Sequence, residues 1–169
     1  MSRLPRGVVP IPPGPGQESV WDYPRPPRVA ADDRLVVVRF GGVVAETRSA
    51  LRVLETSHPP SWYLPRDAFA PGTLRPAAGS SWCEFKGRAG YEDVVAGDGR
   101  VAGRAAWHYP APSPGFEALA GHVALYAGVV DEVTVGGVVV VPQPGGFYGG
   151  WVTPDVVGPF KGGPGSSGW

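Results

Sequence analysis

Glycine and proline interrupt this chain so often that no long helix can form, and what lies between the interruptions has a strand pattern. There are 26 glycines and 21 prolines in 169 residues. The runs LVVVRF (35–40), VVAET (43–47), SWYLPR (61–66), SWCEFKG (81–87), YEDVVA (91–96), RAAWHYP (104–110) and GHVALYA (121–127) are short, rich in β-branched or aromatic residues, and partly alternating. They recur roughly every 8–15 residues with turn signals between, the pattern of an all-β sandwich or barrel-like fold. Gly41-Gly42 predicts a hairpin between the first two runs. EVTV-GG-VVVV (132–141) predicts the clearest one, because Gly136-Gly137 supplies the positive φ that a two-residue turn needs. SALRVLE (49–55) is apolar at 50, 51, 53 and 54, which suits a short helix or another strand equally.

Composition narrows the function classes. Hydrophobic residues make up 43% of the chain and 18 residues are Trp, Tyr or Phe, too many for a disordered segment. Fifteen basic and fifteen acidic side chains cancel, so no net charge draws the chain to nucleic acid or to an anionic membrane. The start, MSRLPRGVVPIPPGPG, is broken by proline and has the form of neither a signal peptide nor an anchor, and no apolar run approaches a membrane span. The expectation is a cytoplasmic protein. One cysteine, Cys83, excludes an internal disulfide and any zinc cage of two or four cysteines. Arginine occurs 13 times and lysine twice, with one isoleucine and no asparagine, a GC-rich, bacterial style of usage. Against that bias Lys86 and Lys161 stand out as places where a compact, tunable ammonium serves and a planar fork does not; chance survival is the rival explanation.

Three regions follow. Residues 1–30 hold 8 Pro and 3 Gly and form an extended arm that Trp21 and Tyr23 can anchor, since proline-rich backbone loses little entropy on docking. Residues 31–141 form the β domain. Residues 142–169 hold 9 Gly and 5 Pro, yet also Phe147, Tyr148, Trp151, Phe160 and Trp169. That composition predicts an irregular tail packed through its rings on its own domain or on a partner, in which case a homodimer is the natural assembly.

The motifs of common chemistries are mostly missing. No GxxxxGK[ST] occurs, and GDGRVAG (97–103) reads as a hairpin loop rather than a dinucleotide turn. His58, His108 and His122 lack the spacing of metal ligands; His108 and His122 read as a cross-strand pair. No metal and no cofactor is expected. Asp32-Asp33, Glu92-Asp93 and Asp131-Glu132 are neighbours whose side chains face opposite ways in a strand, so none forms a ready acid–base dyad. Cys83 or Lys86 could act as a nucleophile with His58 or His122 as base. A regular strand puts Cys83 and Lys86 on opposite faces, and only a bend near Gly87 brings them together. The plainer alternative for Cys83 is a small buried hydrophobe.

The densest feature is aromatic. Tyr63, Trp82, Phe85, Tyr91, Trp107, Tyr109 and Tyr126 fall on expected strands, with Lys86, Arg66 and Glu55 close in sequence to some of them. Rings around scarce charges are the makeup of a small-molecule pocket, and also of a core short of isoleucine and leucine.

The segments ESVWDYPRPP (18–27), RVLETSHPPSWYLPRD (52–67), CEFKGRAGY (83–91), AAWHYP (105–110), GHVALY (121–126) and PQPGGFYGGWVTPDVVGPFKGGPGSSGW (142–169) resemble, in order, the DUF427 family of bacterial and fungal proteins. The family's CPYKG stands here as CEFKG, with Glu84 in place of proline and Phe85 in place of tyrosine. The resemblance implies a β-tent-like fold of antiparallel sheets with at most one or two short helices. Relatives of that fold hold zinc through paired CxxC motifs that this chain lacks, and some bind small ligands in an aromatic cage. By that analogy Tyr63, Tyr91 and Trp107 line the cleft; with Tyr109, and with Lys86 and Arg66 meeting an anionic or carbonyl group as the scarce charges near the rings, they are the expected ligand-binding residues. The family has also carried a nucleotidyltransferase-like label. Such an enzyme needs a Gly-Ser turn followed by paired carboxylates; Gly79-Ser80 is present, but no DxD or DxE follows. Three function classes emerge: a metal-free binding module, an enzyme using Lys86 or Cys83, and an assembly protein using its tail.

Overall fold

The structure is a computed structural model and describes residues 3–169. In chain order the strands are β1 (Glu18–Ser19), β2 (Arg28–Asp32), β3 (Val36–Arg39), β4 (Val43–Thr47), β5 (Ala50–Leu54), β6 (Ser61–Pro65), β7 (Leu74–Cys83) and β8 (Gly87–Val95). They continue with β9 (Val101–His108), β10 (His122–Leu125), β11 (Glu132–Val135), β12 (Val138–Val139), β13 (Val141–Pro142), β14 (Trp151–Val152) and β15 (Val156–Val157). Helix is confined to three-residue 3₁₀ turns at Val20–Asp22, Arg66–Ala68, Glu117–Leu119 and Ala127–Val129. The protein is all-β, built on an antiparallel seven-stranded sheet in the order β2-β5-β6-β10-β9-β8-β7 and a four-stranded sheet in the order β12-β11-β3-β4.

Both glycine-pair hairpins form. Gly136 and Gly137 adopt φ of 57° and 80° between β11 and β12, and Gly41 and Gly42 adopt 61° and 100° between β3 and β4. The ambiguous segment 49–55 is a strand: β5 is held between β2 and β6, distant partners that local periodicity cannot reveal. The strand expected at 81–87 starts earlier, at Leu74, and ends at Cys83, where Cys83 pairs with Gly87 across a tight turn.

The four-stranded sheet covers one face of the large one. Between them lies a core of Val36, Val38, Phe40, Val44, Val133 and Val135 against Trp62, Leu64, Val94, Val123 and Leu125. The opposite face carries Val53, Tyr63, Ala89, Trp107, Tyr109 and Ala124, roofed by Phe116 and Leu119. Strand alternation assigns neighbours to opposite faces: Trp62 and Ala106 to the first, Tyr63 and Trp107 to the second.

The ends of the chain meet. β1 pairs with β15 in parallel, Trp21 Nε1 donates to Pro159 O at 2.9 Å, and Tyr23 is buried with its hydroxyl donating to Glu18 at 2.9 Å. Trp151 is buried, stacks on Trp62 at 5.8 Å between centroids, and donates from Nε1 to Leu125 O at 3.1 Å. Two residues earlier, Gly149 lies so close to the Trp107 ring that a Cβ there would overlap it. The tail thus touches both faces of the large sheet. Its rings are not all used this way, for Phe147 is 75% exposed.

Candidate functional site

Three of the six expected ligand residues form one buried cluster. Trp107 Nε1 donates to the Tyr63 hydroxyl at 3.2 Å, and the Tyr63 ring lies 6.4 Å from Trp107 and 6.3 Å from Tyr109. Burial holds both the Tyr63 and Tyr109 hydroxyls above the ordinary phenol range, and the Lys86 ammonium offsets it only in part at Tyr63. Tyr91 sits at the margin of this cluster and donates to Ser81 Oγ at 2.7 Å.

Lys86 joins them because the turn after Cys83 is tighter than a strand. With Cys83 opposite Gly87, residues 84–86 are a three-residue loop, and Gly87 takes φ of 103°. The bend places the Lys86 ammonium 5.8 Å over the Tyr109 ring and beside Cys83, so the opposite-face geometry of a regular strand does not apply. Burial pulls the Lys86 pKa down, but the surrounding Tyr63, Cys83 and Glu55 outweigh it and the net shift is upward. At neutral pH this group is a cation, not an amine nucleophile. Among the described residues no carboxylate oxygen lies within 4.0 Å of it.

Arg66 is on the other face. It is three residues beyond Tyr63, and the pleat turns it away from the ring cluster. There its guanidinium grips the buried Glu92 with both nitrogens, at 2.6 and 2.9 Å, and His108 Nδ1 lies 3.3 Å from the same carboxylate. Arg66 therefore does not meet a ligand on the ring face. His108 and His122 do not pair with each other either: His122 Nδ1 faces Ala120 O at 3.1 Å.

His58 has no free nitrogen to act as a base. Gln143 Oε1 accepts from Gly150 N at 3.0 Å, which fixes its amide so that Nε2 donates to Lys161 O at 2.8 Å and to His58 Nδ1 at 3.1 Å. His58 Nε2 must then carry the proton, with the nearest Glu55 oxygen 3.4 Å away. Burial, with Lys161, Arg25 and Lys86 nearby, pushes the imidazole pKa down to about 4. His58 is a neutral latch between the domain and its tail.

The cleft on this face was not legible from the motifs. It has a volume of about 360 Å³ and lies between the start of β9, the turn after β10 and the tail segment 142–150. Tyr126 and Tyr148 supply its rings, Arg104 and Gln143 its polar side chains, and glycines 103, 128, 149 and 150 much of its backbone. Tyr126 connects it to the ring cluster, 4.9 Å from Trp107, and its hydroxyl straps the tail by donating to Phe147 O at 3.2 Å. Tyr148 lies edge-on to His58 at 4.8 Å and beneath Lys161 at 5.5 Å. Of these residues only Tyr126 belonged to the aromatic pattern in the sequence; the signal that could have found Tyr148 and Gln143 is the run of glycines flanking rings in PQPGGFYGGW.

A second depression is lined by Glu18, Asp32, Asp33, Arg34, Arg52 and Asp155, and its two arginines are paired with three of these carboxylates. Arg34 meets Asp32 at 2.9 Å and Asp155 at 3.1 Å, and Arg52 meets Asp32 and Glu18, each at 3.2 Å. Gly79-Ser80 lies inside β7 at a register shift, not in a turn that could cradle a triphosphate. Among the described residues no three His, Cys, Asp or Glu side chains converge as metal ligands do, and no helix is long and apolar enough to cross a membrane.

Comparison with known proteins agrees with the resemblance carried by the motifs. The family model described as Domain of unknown function (DUF427) matches residues 28–136, and the chain belongs to that family. No curated protein matches it.

Proposed function

We propose that this DUF427 protein is a small-molecule-binding module whose ligand lies in the cleft between the tail and the ring face of the seven-stranded sheet. The observation that carries this reading is the cleft itself: about 360 Å³, walled by Tyr126, Tyr148 and glycine backbone, with the Arg104 side chain available for orientation while Gln143 is committed to Gly150, Lys161 and His58. That is the size and lining of a site for a one- or two-ring compound. Trp107 and Tyr63 act as the rigid support behind Tyr126, not as stacking surfaces, because both are buried. Lys86 lies on the same face as a charged group near the rings.

We favour binding over catalysis because neither candidate base is placed to act: the His58 Nδ1 lone pair is taken by Gln143, which leaves the proton on Nε2, and His122 lies away from Cys83 and Lys86 on the sheet. We favour binding over assembly because the tail's Trp151 is already buried in its own domain.

The test is a titration of the purified chain with small ring compounds, followed by NMR of its tyrosine and tryptophan side chains. The expected result is saturable shifts at Tyr126 and Tyr148, with binding lost in Tyr126→Ala while the melting temperature stays within a few degrees. If no such compound at millimolar concentration moves either tyrosine in folded protein, the cleft is not a binding site.

A further inference from the structure

Arg104 is one of two described residues other than glycine with a positive φ, at 51°. It owes this to a bulge. Glu92 pairs with Ala106 and Val94 with Ala102, so Gly103, Arg104 and Ala105 of β9 stand opposite Asp93 alone. Asp93 holds the bulge by accepting the Arg104 backbone N–H at 2.8 Å, and its other oxygen meets Arg75 at 3.2 Å. Bulges re-aim side chains, and strained backbone concentrates at sites of function. Here the bulge carries the guanidinium over the Tyr91 ring, 4.5 Å from its centroid, and across Gly79, where there is no side chain to obstruct it. Among the described residues no carboxylate lies within 4.0 Å of the guanidinium, and Arg104 is the one charged residue in the lining of the cleft. A planar fork with open donors, resting on Tyr91 just outside the cleft and borne by a residue that lines it, matches a planar anion attached to a flat ring.

We propose that the cleft takes an aryl or heteroaryl carboxylate and that Arg104 receives its carboxylate. The inference rests on the cleft being the ligand site. One cation in the lining balances one negative charge, which favours a carboxylate over a phosphate dianion, and the cleft volume suits one or two fused rings.

The experiment compares benzoate and indole-3-carboxylate with their neutral amides and with inorganic phosphate, by titration calorimetry and by NMR at Tyr126. The carboxylates are expected to bind at least about tenfold tighter than the amides, with phosphate weaker than both. Arg104→Gly is expected to erase that preference without lowering the melting temperature, because glycine adopts this backbone without strain. Arg104→Asn, which also tolerates the left-handed region, repeats the test should the glycine variant fail to fold. Equal binding of carboxylates and amides, or a preference that survives both variants, overturns this inference and leaves the cleft as a neutral-ring site. Phosphate binding as tightly as the carboxylates overturns the ligand class. Absence of binding by every ring compound overturns this inference together with the proposed function.

Discussion

The two faces of the seven-stranded sheet are built from opposite materials. One face is mainly valine, leucine and tryptophan, closed by the four-stranded sheet into an apolar core, and it also holds the buried carboxylate of Glu92, paired with Arg66. The other carries hydroxyls, an ammonium, a neutral histidine and a backbone bulge, and is covered by loop and tail rather than by a sheet. A core gains most from uniform close packing, whereas buried polar groups must each find a partner and gain little net stability. The difference teaches where to look for function: the first face closes its single buried carboxylate with an ion pair, whereas the second spreads several polar groups under loop and tail, beside the cleft.

The largest expected effect tests whether the first face is pure packing. Trp151→Ala empties a fully buried site and removes the stack on Trp62, so urea denaturation should show a loss of about 3–5 kcal/mol. Next is the pH response of the second face. The folded pKa of His58, about 4, lies below the ordinary 6.5, so the unfolded chain binds more protons between those values. The latch therefore contributes fully above pH 6.5 and is lost as pH falls through about 4, an effect of order 3 kcal/mol. Denaturation curves at pH 7.5, 5.5 and 4 should show this slope in the wild type and a flatter one in His58→Gln.

Arg66→Ala should separate the faces. Stripping the buried Glu92 of its bidentate partner is expected to cost about 1–3 kcal/mol in stability. Ring-compound affinity in the cleft should stay within twofold; a larger loss would show that the faces are coupled. The smallest effect belongs to Tyr91→Phe, which removes one exposed hydrogen bond to Ser81 and should cost about 0.5 kcal/mol or less by thermal melting.

What the sequence disclosed depended on how local its cause was. The β11–β12 hairpin was legible because Gly136 and Gly137 dictate their own turn. The 50–54 segment was not, because its strand character comes from β2 and β6. Arg66 was misjudged for a reason the sequence does contain: counting three residues from Tyr63 along a pleat puts it on the far face. Lys86 was left open by the sequence, since a regular strand puts it opposite Cys83 and a bend near Gly87 brings the two together; the turn at Gly87 supplies that bend. The cleft was out of reach, because its walls come from residues about 40 positions apart and its cation from a bulge that no local pattern announces.

Chain order is also the order of synthesis, and the junction of the two ends gives that order a consequence. Trp21 finds Pro159 138 residues later, and Trp62 finds its stacking partner only when Trp151 has been made. A nascent chain emerging from the ribosome thus lacks the stacking partner of the Trp62 ring and the tail backbone that covers Trp107 at Gly149. At ordinary elongation rates that state lasts on the order of a second or more while the tail is translated. During that interval the growing polypeptide presents the kind of sticky surface that chaperones recognise, and the cleft lacks one of its walls until residues 142–150 have been made.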